Sequence, residues 1–365
     1  MAGPKHAHNP WWTIAFPLLA GVLVIAYFAG LVPKEQPLFF AIEALVLLGA
    51  VFSAVHHAEV VGNRVGEPFG SIILAVSVTI IEVGLIVALM LAADDGGPTI
   101  ARDTVYSAVM LVLTGLIGLC LVVGGHKHYE QTIKVTGTSS YLAVLGTLTV
   151  SALILPNFTT STAGPTYSAA QLTAVALVSI MLYGAFMFVQ TVRHRDYFLT
   201  AADDSDLDHY ELPTNQQAGI SLVFLLVSLA GVVLLAKMLA PALDDLIDMA
   251  GLPPEFTGVV IAALVLAPES IAAVRASRAN RPQTAINLAL GSALASIALT
   301  IPVITLLGAF DNVQLALGVP PAKIVLLSLA LFVSAITLLP GRTTVLQGFV
   351  HLGLFIMFVV VAAVP

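Results

Sequence analysis

The chain consists of long apolar segments separated by short polar connections. Each segment has about the 20 residues that an α-helix needs to cross the hydrocarbon core of a membrane. The eleven segments lie near residues 11–32, 37–55, 70–93, 104–125, 138–156, 168–192, 218–239, 256–274, 284–307, 319–339 and 345–364. This pattern predicts an all-α polytopic membrane protein with about eleven transmembrane helices.

The Lys and Arg residues predict the orientation of these helices, because cytoplasmic loops are enriched in both. With eleven spans, one side of the membrane holds the N-terminus and ten of the 14 basic residues. The opposite side holds the other four, which are Lys34, Arg102, Lys237 and Lys323. The sequence therefore predicts a cytoplasmic N-terminus and a C-terminus outside. The first segment could be read as a signal peptide, but its length and weakly basic flank favour a retained helix.

Composition narrows the classes of partner. Hydrophobic residues make up 58% of the chain, charged residues 10%, and the mean hydropathy is +0.99. The net charge of −7 comes mostly from a few short acidic loops, so a role in nucleic-acid binding has no support. The expected partners are the lipid bilayer and transported ions, and the oligomeric state stays open. Cys120 is the single cysteine of the chain, so an intrachain disulfide is excluded.

A carboxylate lies near the middle of two of the apolar segments, Glu82 in the third and Glu269 in the eighth. An ionised side chain at the centre of a membrane helix costs roughly 3 kcal/mol, so such a residue generally has a function. Each carboxylate follows a glycine, Gly70 or Gly258, at a distance that corresponds to roughly 18 Å of helix. Both are therefore predicted to lie near the membrane midplane at one depth.

The two carboxylate segments share a longer pattern that indicates an internal repeat. Glu67 precedes Gly70 by three residues, and Glu255 precedes Gly258 in the same way. With the first helix set aside, the carboxylate helices are the second span of each group of five. Because five is odd, the second group enters the membrane from the opposite side, which gives inverted repeats. The predicted organisation is an N-terminal helix (1–36), a five-helix repeat (37–192), an acidic cytoplasmic linker (193–217) and a second five-helix repeat (218–365).

Hydroxyl side chains near the carboxylates are candidate cation ligands. On the ninth predicted helix, three of them recur at every fourth residue and therefore lie on one face. A proline directly before Glu269 can also release a backbone carbonyl as a ligand. For each hydroxyl, the alternative is a hydrogen bond back to its own helix. The candidates are Thr79, Ser292, Ser296 and Thr300, with Ser107 and Thr114 on the fourth helix as a secondary pair.

Two carboxylates near the midplane can be neutralised by two protons or by one cation. A site that accepts either but not both couples the two fluxes in opposite directions. Carboxylate and hydroxyl oxygens are hard ligands that suit calcium or sodium rather than softer metals. Glu82 and Glu269 are therefore the predicted cation and proton ligands, and the alternative is a pair of structural buried acids.

Histidines at the end of the second span form a weaker candidate. Adjacent helical residues diverge by about 100 degrees, so His56 can share a face with Glu59, whereas His57 points elsewhere. A pH-sensitive pair at the membrane interface is one interpretation, and plain boundary residues are the other. The sequence contains no HExxH, G-x-S-x-G or P-loop pattern, which leaves hydrolase and ATP-driven activities without a motif.

The linker contains a run of acidic residues, Asp203, Asp204, Asp206 and Asp208. Three of them have the 1, 3, 5 spacing of an EF-hand loop, but His209 replaces the required glycine and Asn215 replaces the bidentate glutamate. The sequence is therefore not an EF-hand. It predicts a solvated acidic linker, with a regulatory patch for divalent cations as the alternative.

Several of these motifs together resemble the calcium/cation antiporter superfamily, and in particular its bacterial calcium(sodium, potassium)/proton antiporters of ChaA type. The resemblance rests on the acidic loop and on three stretches, Gly66–Ser71 leading to Glu82, Pro268–Ile271, and Asn287–Ser296. It implies an eleven-helix exchanger of the bacterial inner membrane with two inverted five-helix repeats. It also implies that Glu82 and Glu269 bind cation and protons alternately, and it adds Asn287 to the secondary candidates beside Glu59, Glu67, Glu255 and His56.

This sequence departs from the family pattern next to each glutamate. Proton-coupled calcium exchangers of the wider family carry Gly-Asn-Ala there, whereas this chain has Val78-Thr79-Ile80 and Val265-Leu266-Ala267. Thr79 can replace one amide oxygen, but Leu266 offers none. A calcium site built in this way has fewer side-chain ligands, so sodium or potassium stays open as the exported ion.

The expected function is a secondary antiporter, not an enzyme, that exports calcium, and also sodium or potassium, in exchange for protons by alternating access. Its ligands would be the transported cation and protons, with no cofactor. Two alternatives remain: a sodium(potassium)/proton antiporter with little calcium transport, and a passive cation channel lined by the same acids. The internal repeat favours a transporter over a channel.

Overall fold

The computed structural model describes residues 9–31, 36–66, 69–92, 97–198, 212–311 and 314–365. Two groups of sequence candidates lie outside these residues. They are Glu67 and the acidic residues of the linker, Asp203, Asp204, Asp206 and Asp208.

Helices dominate the described chain. The α-helices are α1 Trp11–Phe28, α2 Pro37–Val65, α3 Phe69–Ala92, α4 Ile100–Met110, α5 Ile117–His128, α6 Val135–Thr149, α7 Ala169–Phe188, α8 Asn215–Met249, α9 Phe256–Arg278, α10 Pro282–Asp311, α11 Pro321–Leu338 and α12 Val345–Ala363. Three π-helical segments lie within the helical spans: π1 Leu111–Leu116, π2 Val150–Ile154 and π3 Val189–Arg193. Short 3₁₀ turns cover Leu155–Phe158 and Arg195–Tyr197.

The described residues contain 11 helical spans that are long and apolar enough to cross a membrane. This confirms the predicted fold class of an all-α polytopic membrane protein. The fourth span is a single helical run, Ile100–His128, made of α4, π1 and α5. The second helix continues to Val65, well beyond the apolar run that ends near residue 55. Its polar extension is helical because parts of it are buried against neighbouring helices.

The sequence pattern did not predict the π segments or a small two-stranded antiparallel sheet. Strands β1 Glu130–Thr132 and β2 Arg342–Thr344 pair in antiparallel register, with Gln131 opposite Thr343. Three-residue strands are too short to leave a hydrophobic period, and a π turn has no apolar signature of its own. Both features depend on partners that are distant in the sequence.

The helices form two compact units. Unit 1 comprises residues 1–97 and 205–246, and therefore α1, α2, α3 and most of α8. Within it, α2 packs against both α1 and α3. A Cβ atom at Gly70 would lie 2.5 Å from the carbonyl oxygen of Gly62, so glycines are required where α2 and α3 approach most closely.

Unit 2 comprises residues 98–204 and 247–365, and therefore the remaining helices and the two-stranded sheet. Within it, α9 packs against α4 and α10, while α12 packs against α5 and π1. These units group helices by contact, whereas the predicted repeats follow the order of the chain. The bounds of the repeats therefore stay a prediction.

Candidate ion-binding residues

The two predicted carboxylates occupy corresponding positions in their helices. Glu82 lies thirteen residues after Phe69, where α3 begins, and Glu269 lies thirteen residues after Phe256, where α9 begins. At about 1.5 Å per residue, each carboxylate is about 20 Å from the start of its helix. Glu82 is buried, with 3% of its surface exposed, and Glu269 is half-buried.

Beside Glu82, the helix offers one buried hydroxyl. Thr79 is one turn earlier in α3 and is 6% exposed. Its hydroxyl donates a hydrogen bond to the carbonyl oxygen of Ala75 at 2.9 Å. This is the intrahelical bond that the sequence analysis weighed as the alternative, yet the oxygen lone pairs remain available to a cation.

Beside Glu269, the corresponding position offers no oxygen. Leu266 and Pro268 are both buried in α9, and the helix runs without interruption through the proline. Proline lacks an N–H group, so the carbonyl of the residue four positions earlier loses its usual intrahelical donor. The polar groups that can supplement Glu269 must therefore come from the backbone or from neighbouring helices of unit 2.

The hydroxyl stripe of α10 lies on a helix that packs along α9. Ser296 is 5% exposed and Thr300 is fully buried. In the described part of the chain, the hydroxyl oxygens of Ser292 and Thr300 are buried without a hydrogen-bond partner. A buried hydroxyl that lacks a partner costs roughly 1–3 kcal/mol, so these two groups suit a polar ligand.

The secondary pair on the fourth span does not keep the predicted geometry. Ser107 is in α4, but Thr114 is in π1, where hydrogen bonds span five residues rather than four. The extra residue rotates Thr114 relative to Ser107, so their seven-residue spacing no longer puts them on one face. Thr114 is fully buried and donates to the carbonyl oxygen of Met110 at 2.5 Å.

A histidine stabilises the π segment from another helix. His351 of α12 is fully buried, and its Nδ1 lies 2.6 Å from the carbonyl oxygen of Leu113 in π1. A carbonyl can only accept, so Nδ1 carries a proton and donates. On the other side of the ring, Nε2 lies 2.8 Å from the Thr337 hydroxyl of α11. His351 thus connects π1 to α11, a role that the sequence analysis missed.

Glu255, whose side chain is 35% exposed, joins three buried charged residues at the start of α9. Lys323 of α11 donates to Glu255 Oε2 at 2.5 Å and to Asp103 Oδ1 at 3.1 Å. Arg102 donates to the same Asp103 carboxylate through Nε at 3.1 Å and Nη2 at 3.0 Å. Arg102, Asp103 and Lys323 are each at most 6% exposed. We call these four residues the charge quartet.

The charge quartet ties together the ends of three helices in unit 2. Its two cations and two anions balance, and Arg102 also donates to the carbonyl oxygen of Gly318 at 3.4 Å. A Cβ atom at Gly258 would lie 2.7 Å from the backbone carbonyl carbon of Asp103, so α4 and α9 are in close contact here. The sequence analysis treated Arg102 and Lys323 as loop cations, whereas the structure buries both.

Asn287 is engaged at the start of α10. Its amide nitrogen donates to the carbonyl oxygen of Phe198 at 2.5 Å, and its amide oxygen accepts from Gln283 at 2.9 Å. Gln283 in turn accepts from the backbone N–H of Lys134 at 2.6 Å. The structure thus places Asn287 in a network that contacts Phe198, in the first part of the predicted linker.

The histidines of α2 reverse the sequence expectation. His57, which was set aside, is fully buried, with its Nε2 3.0 Å from the carbonyl oxygen of Thr13 and its ring stacked on Phe224. His56 is half-buried and contacts the Asn9 side chain, while Glu59 is exposed. His56 therefore contacts Asn9, and a pH-sensitive pair of His56 with Glu59 stays one of the two interpretations.

Comparison with known proteins identifies the family. The family model described as sodium/calcium exchanger protein matches residues 36–192 and 220–364. The chain belongs to this family. The two matched ranges leave out the first helix and the linker, as the predicted repeats do.

Relatives with similar sequences are transporters. The y4hA protein of Sinorhizobium fredii, whose name describes an ionic transporter, is 48% identical over 99% of this chain and 98% of its own length. The sodium-potassium/proton antiporter ChaA of Escherichia coli is 39% identical over 94% of this chain and 93% of its own. The family and these relatives support cation exchange by a secondary transporter in a membrane, rather than catalysis.

Solved structures share the fold. The native YfkE structure has a TM-score of 0.73 at 17% identity, with 97% of this chain and 100% of that chain covered. A structure named as the H⁺/Ca²⁺ exchanger CAX has a TM-score of 0.69 at 16% identity, with 95% and 88% covered. The eleven-helix architecture is therefore that of known exchangers.

Proposed function

We propose that this protein is a cation/proton antiporter in which Glu82 and Glu269 each bind cation and protons alternately. It exports calcium, with sodium and potassium as competing cations, while protons enter. Alternating access exposes the carboxylates first to one side of the membrane and then to the other. The proposed location is the bacterial inner membrane, with a cytoplasmic N-terminus and the C-terminus outside.

The observation that carries this proposal is the equal placement of two intramembrane carboxylates. Each lies thirteen residues after the first residue of its helix, in helices that hold corresponding positions in the predicted repeats. A single buried acid can have a purely structural role. Two acids at the same position in corresponding helices are better explained by a shared function. The two ranges matched by the family model support the same internal repeat.

The coupling follows from the charge requirement of a buried carboxylate. Without cation, burial favours the protonated acid, because an isolated ionised carboxylate is poorly solvated there. A bound cation replaces the protons by supplying positive charge directly. Because either ligand neutralises the acid and both together leave excess positive charge, outward cation movement is linked to inward proton movement.

The exported ion is proposed from the ligands available near each glutamate. Calcium usually takes 6–8 oxygen ligands, and its dehydration needs strong compensation. Thr79 supplies an oxygen near Glu82, whereas Leu266 supplies none near Glu269. Fewer ligands weaken calcium binding and let sodium or potassium compete. The name of the 39% identical relative, a sodium-potassium/proton antiporter, supports this breadth.

The test is a flux assay with the purified full-length chain in proteoliposomes. Calcium, sodium and potassium are each placed inside in turn, and an outward cation gradient is expected to acidify the lumen as protons enter. Cation flux should also depend on an opposing proton gradient. Cation flux that proceeds without any counter-ion would overturn antiport and favour the passive channel. Proton exchange with sodium or potassium but not with calcium would favour the monovalent antiporter.

A further inference from the structure

A third intramembrane carboxylate lies in unit 1. Glu43 is six residues after Pro37, where α2 begins, within the apolar sequence of the second span. Its side chain is fully buried, with 0% of its surface exposed. Within the described part of the chain, neither carboxylate oxygen has a hydrogen-bond partner. Buried carboxylates without partners are rare in folded proteins and call for an explanation.

The contacts between α1 and α2 show which residues of α1 lie level with Glu43. Ser53 donates to the Thr13 carbonyl at 2.6 Å, and Phe16 packs on Gly49, so the two helices run antiparallel. This register brings the part of α1 around Val24, which is 9% exposed, to the level of Glu43, and Tyr27 follows about one turn later. In the described part of the chain, no residue donates a hydrogen bond to the Glu43 carboxylate.

The register of α2 and α3 gives the position of Glu43 relative to Glu82. Gly62 lies against Gly70 at the connected ends of these two helices. Continuing this antiparallel register places Glu82 beside Ala50 and Glu43 beside Leu89, which is 5% exposed. Glu43 and Ala50 are seven residues apart, so they lie on one face of α2 and about 10 Å apart along it.

Glu43 therefore lies two helical turns from the level of Glu82, toward the N-terminal end of α2. In the predicted orientation, this end is on the outer side of the membrane. The other titratable groups on the described helices of this unit are Tyr27 on α1, His56, His57, Glu59 and Arg64 on α2, Glu82 on α3, and Lys237, Asp244 and Asp245 on α8. The groups on α8 are exposed. The groups on α2 lie about 20 Å or more from Glu43 along the helix.

The charge state of Glu43 follows from its surroundings. An ionised carboxylate that is buried without partners costs several kcal/mol, so the resting form is the neutral acid, which carries a proton. A permanently neutral acid would leave its hydroxyl without an acceptor and would be no better than an apolar residue. A carboxyl group at this buried position has a function that an apolar residue lacks if it releases and regains its proton.

We propose that Glu43 is a second proton-binding carboxyl in the unit that carries Glu82, and that it passes protons between the outer side and Glu82. In the transfer step, the Glu43 acid loses its proton, the Glu82 carboxylate gains it, and Glu43 then takes a new proton from outside. A separation of about 10 Å is too long for a direct hydrogen bond, so water must carry the proton between them. This inference rests on the proposed proton coupling.

The experiment separates proton movement from cation movement. Glu43→Gln keeps the shape of the neutral acid but cannot release a proton. In proteoliposomes, we expect it to slow sodium/proton and calcium/proton exchange by at least about tenfold. Isotopic self-exchange of sodium or calcium, which needs no net proton transfer, should stay within about twofold of the wild type. Glu43→Asp keeps a titratable group and should restore most of the proton exchange.

A matched control and a measurement on the unmodified protein complete the test. Glu130→Gln removes an exposed carboxylate that pairs with Arg342 at 3.4 Å, and it should leave both kinds of exchange unchanged. Dicyclohexylcarbodiimide, which reacts with protonated carboxyls in apolar surroundings, should modify Glu43 in the wild-type chain, and rising pH should reduce that modification. Mass spectrometry of the labelled peptides provides the readout even where a Glu43 variant fails to fold.

Three results would overturn the inference. The first is wild-type sodium/proton exchange in Glu43→Gln, and the second is equal loss of self-exchange and proton exchange in a folded variant. The third is a wild-type Glu43 that stays unlabelled at every pH tested. The proposed function has a separate test, because proton exchange that persists in Glu82→Gln would contradict it whatever Glu43 does.

Discussion

The helices α3 and α9 carry the same sequence pattern but are held in different ways. Near its start, α3 is held by backbone contact, where Gly70 meets Gly62 of α2. The start of α9 combines such a contact, Gly258 against Asp103, with the charge quartet. A glycine three residues after a glutamate thus serves close helix packing in both helices. In the described part of the chain, an ionic contact of this kind is seen at the start of α9, while Glu67, the counterpart of Glu255 before α3, lies outside the described residues.

The two helices also differ in what surrounds their carboxylates. Thr79 gives α3 its own hydroxyl one turn before Glu82, while α9 has Leu266 at the corresponding place. The hydroxyls near α9 are on α10, where Ser292 and Thr300 lack hydrogen-bond partners in the part of the chain that the structure describes. The same carboxylate position within each helix therefore does not imply the same ligand set, and the difference should affect ion selectivity more than the existence of transport.

The largest expected effect comes from neutralising either carboxylate. Glu82→Gln and Glu269→Gln each remove a charge that both the cation and the proton need, so each should abolish exchange in a folded protein. Loss is expected to exceed about 100-fold in proteoliposome flux assays. Size-exclusion chromatography in detergent checks folding. Exchange at the wild-type rate in either variant would remove that glutamate from the site and end the functional equivalence of α3 and α9.

The second effect tests the ionic anchor of α9. Asp103→Asn leaves Arg102 and Lys323 buried with a single carboxylate, and breaking a buried ion pair costs about 3–5 kcal/mol. We expect a large fall in thermal stability in detergent. The matched control is Glu130→Gln, whose exposed pair with Arg342 should contribute at most about 1 kcal/mol. Equal stability of the two variants would show that the charge quartet does not anchor the helix.

The third effect tests the close helix contacts. Gly70→Ala places a methyl group 2.5 Å from the Gly62 carbonyl oxygen, and Gly258→Ala places one 2.7 Å from the Asp103 carbonyl carbon. Both atoms belong to backbone, so the helices must move apart at a cost of about 1–3 kcal/mol. Gly21→Ala is a suitable control, because a Cβ atom there meets nothing within 4 Å. If Gly21→Ala lowered the thermal unfolding temperature as much as the other two variants, the result would contradict this packing.

The fourth effect concerns selectivity. The double change Thr79→Asn with Leu266→Asn adds an amide oxygen near each glutamate and makes the two ligand sets more alike. We expect calcium affinity to rise by roughly tenfold, about 1.4 kcal/mol, and sodium competition to weaken. Transport measured against calcium concentration, with and without sodium, provides the readout. Submicromolar calcium affinity without sodium competition in the wild type would show that backbone oxygens already complete the site.

The smallest effect is expected at the linker, which belongs to neither carboxylate helix. Changing Asp203, Asp204, Asp206 and Asp208 to Asn should alter apparent cation affinity or calcium regulation by a few-fold and leave transport intact. Initial rates over a range of calcium concentrations measure this. Complete loss of transport in a well-expressed variant would move the acidic run into the transport mechanism.

The sequence by itself determined the spans and which of them carry Glu82 and Glu269. A membrane helix must be apolar for about 20 residues and must form its backbone hydrogen bonds within itself. Hydropathy along the chain therefore predicts where each helix lies. For the same reason, an acid such as Glu82 or Glu269 stands out within its segment. Counting residues gave similar distances from Gly70 and Gly258, and in the structure each acid lies thirteen residues after the first residue of its helix.

Only the tertiary structure decided how the polar groups are paired. Asp103 meets Lys323 across more than two hundred residues, and His351 meets π1 across a similar distance. No local pattern encodes such contacts, because each depends on which helix faces become neighbours. Glu43 escaped the sequence analysis for the same reason: six residues into a helix, it reads as an interfacial acid. Packing against neighbouring helices buries it completely without giving it a partner.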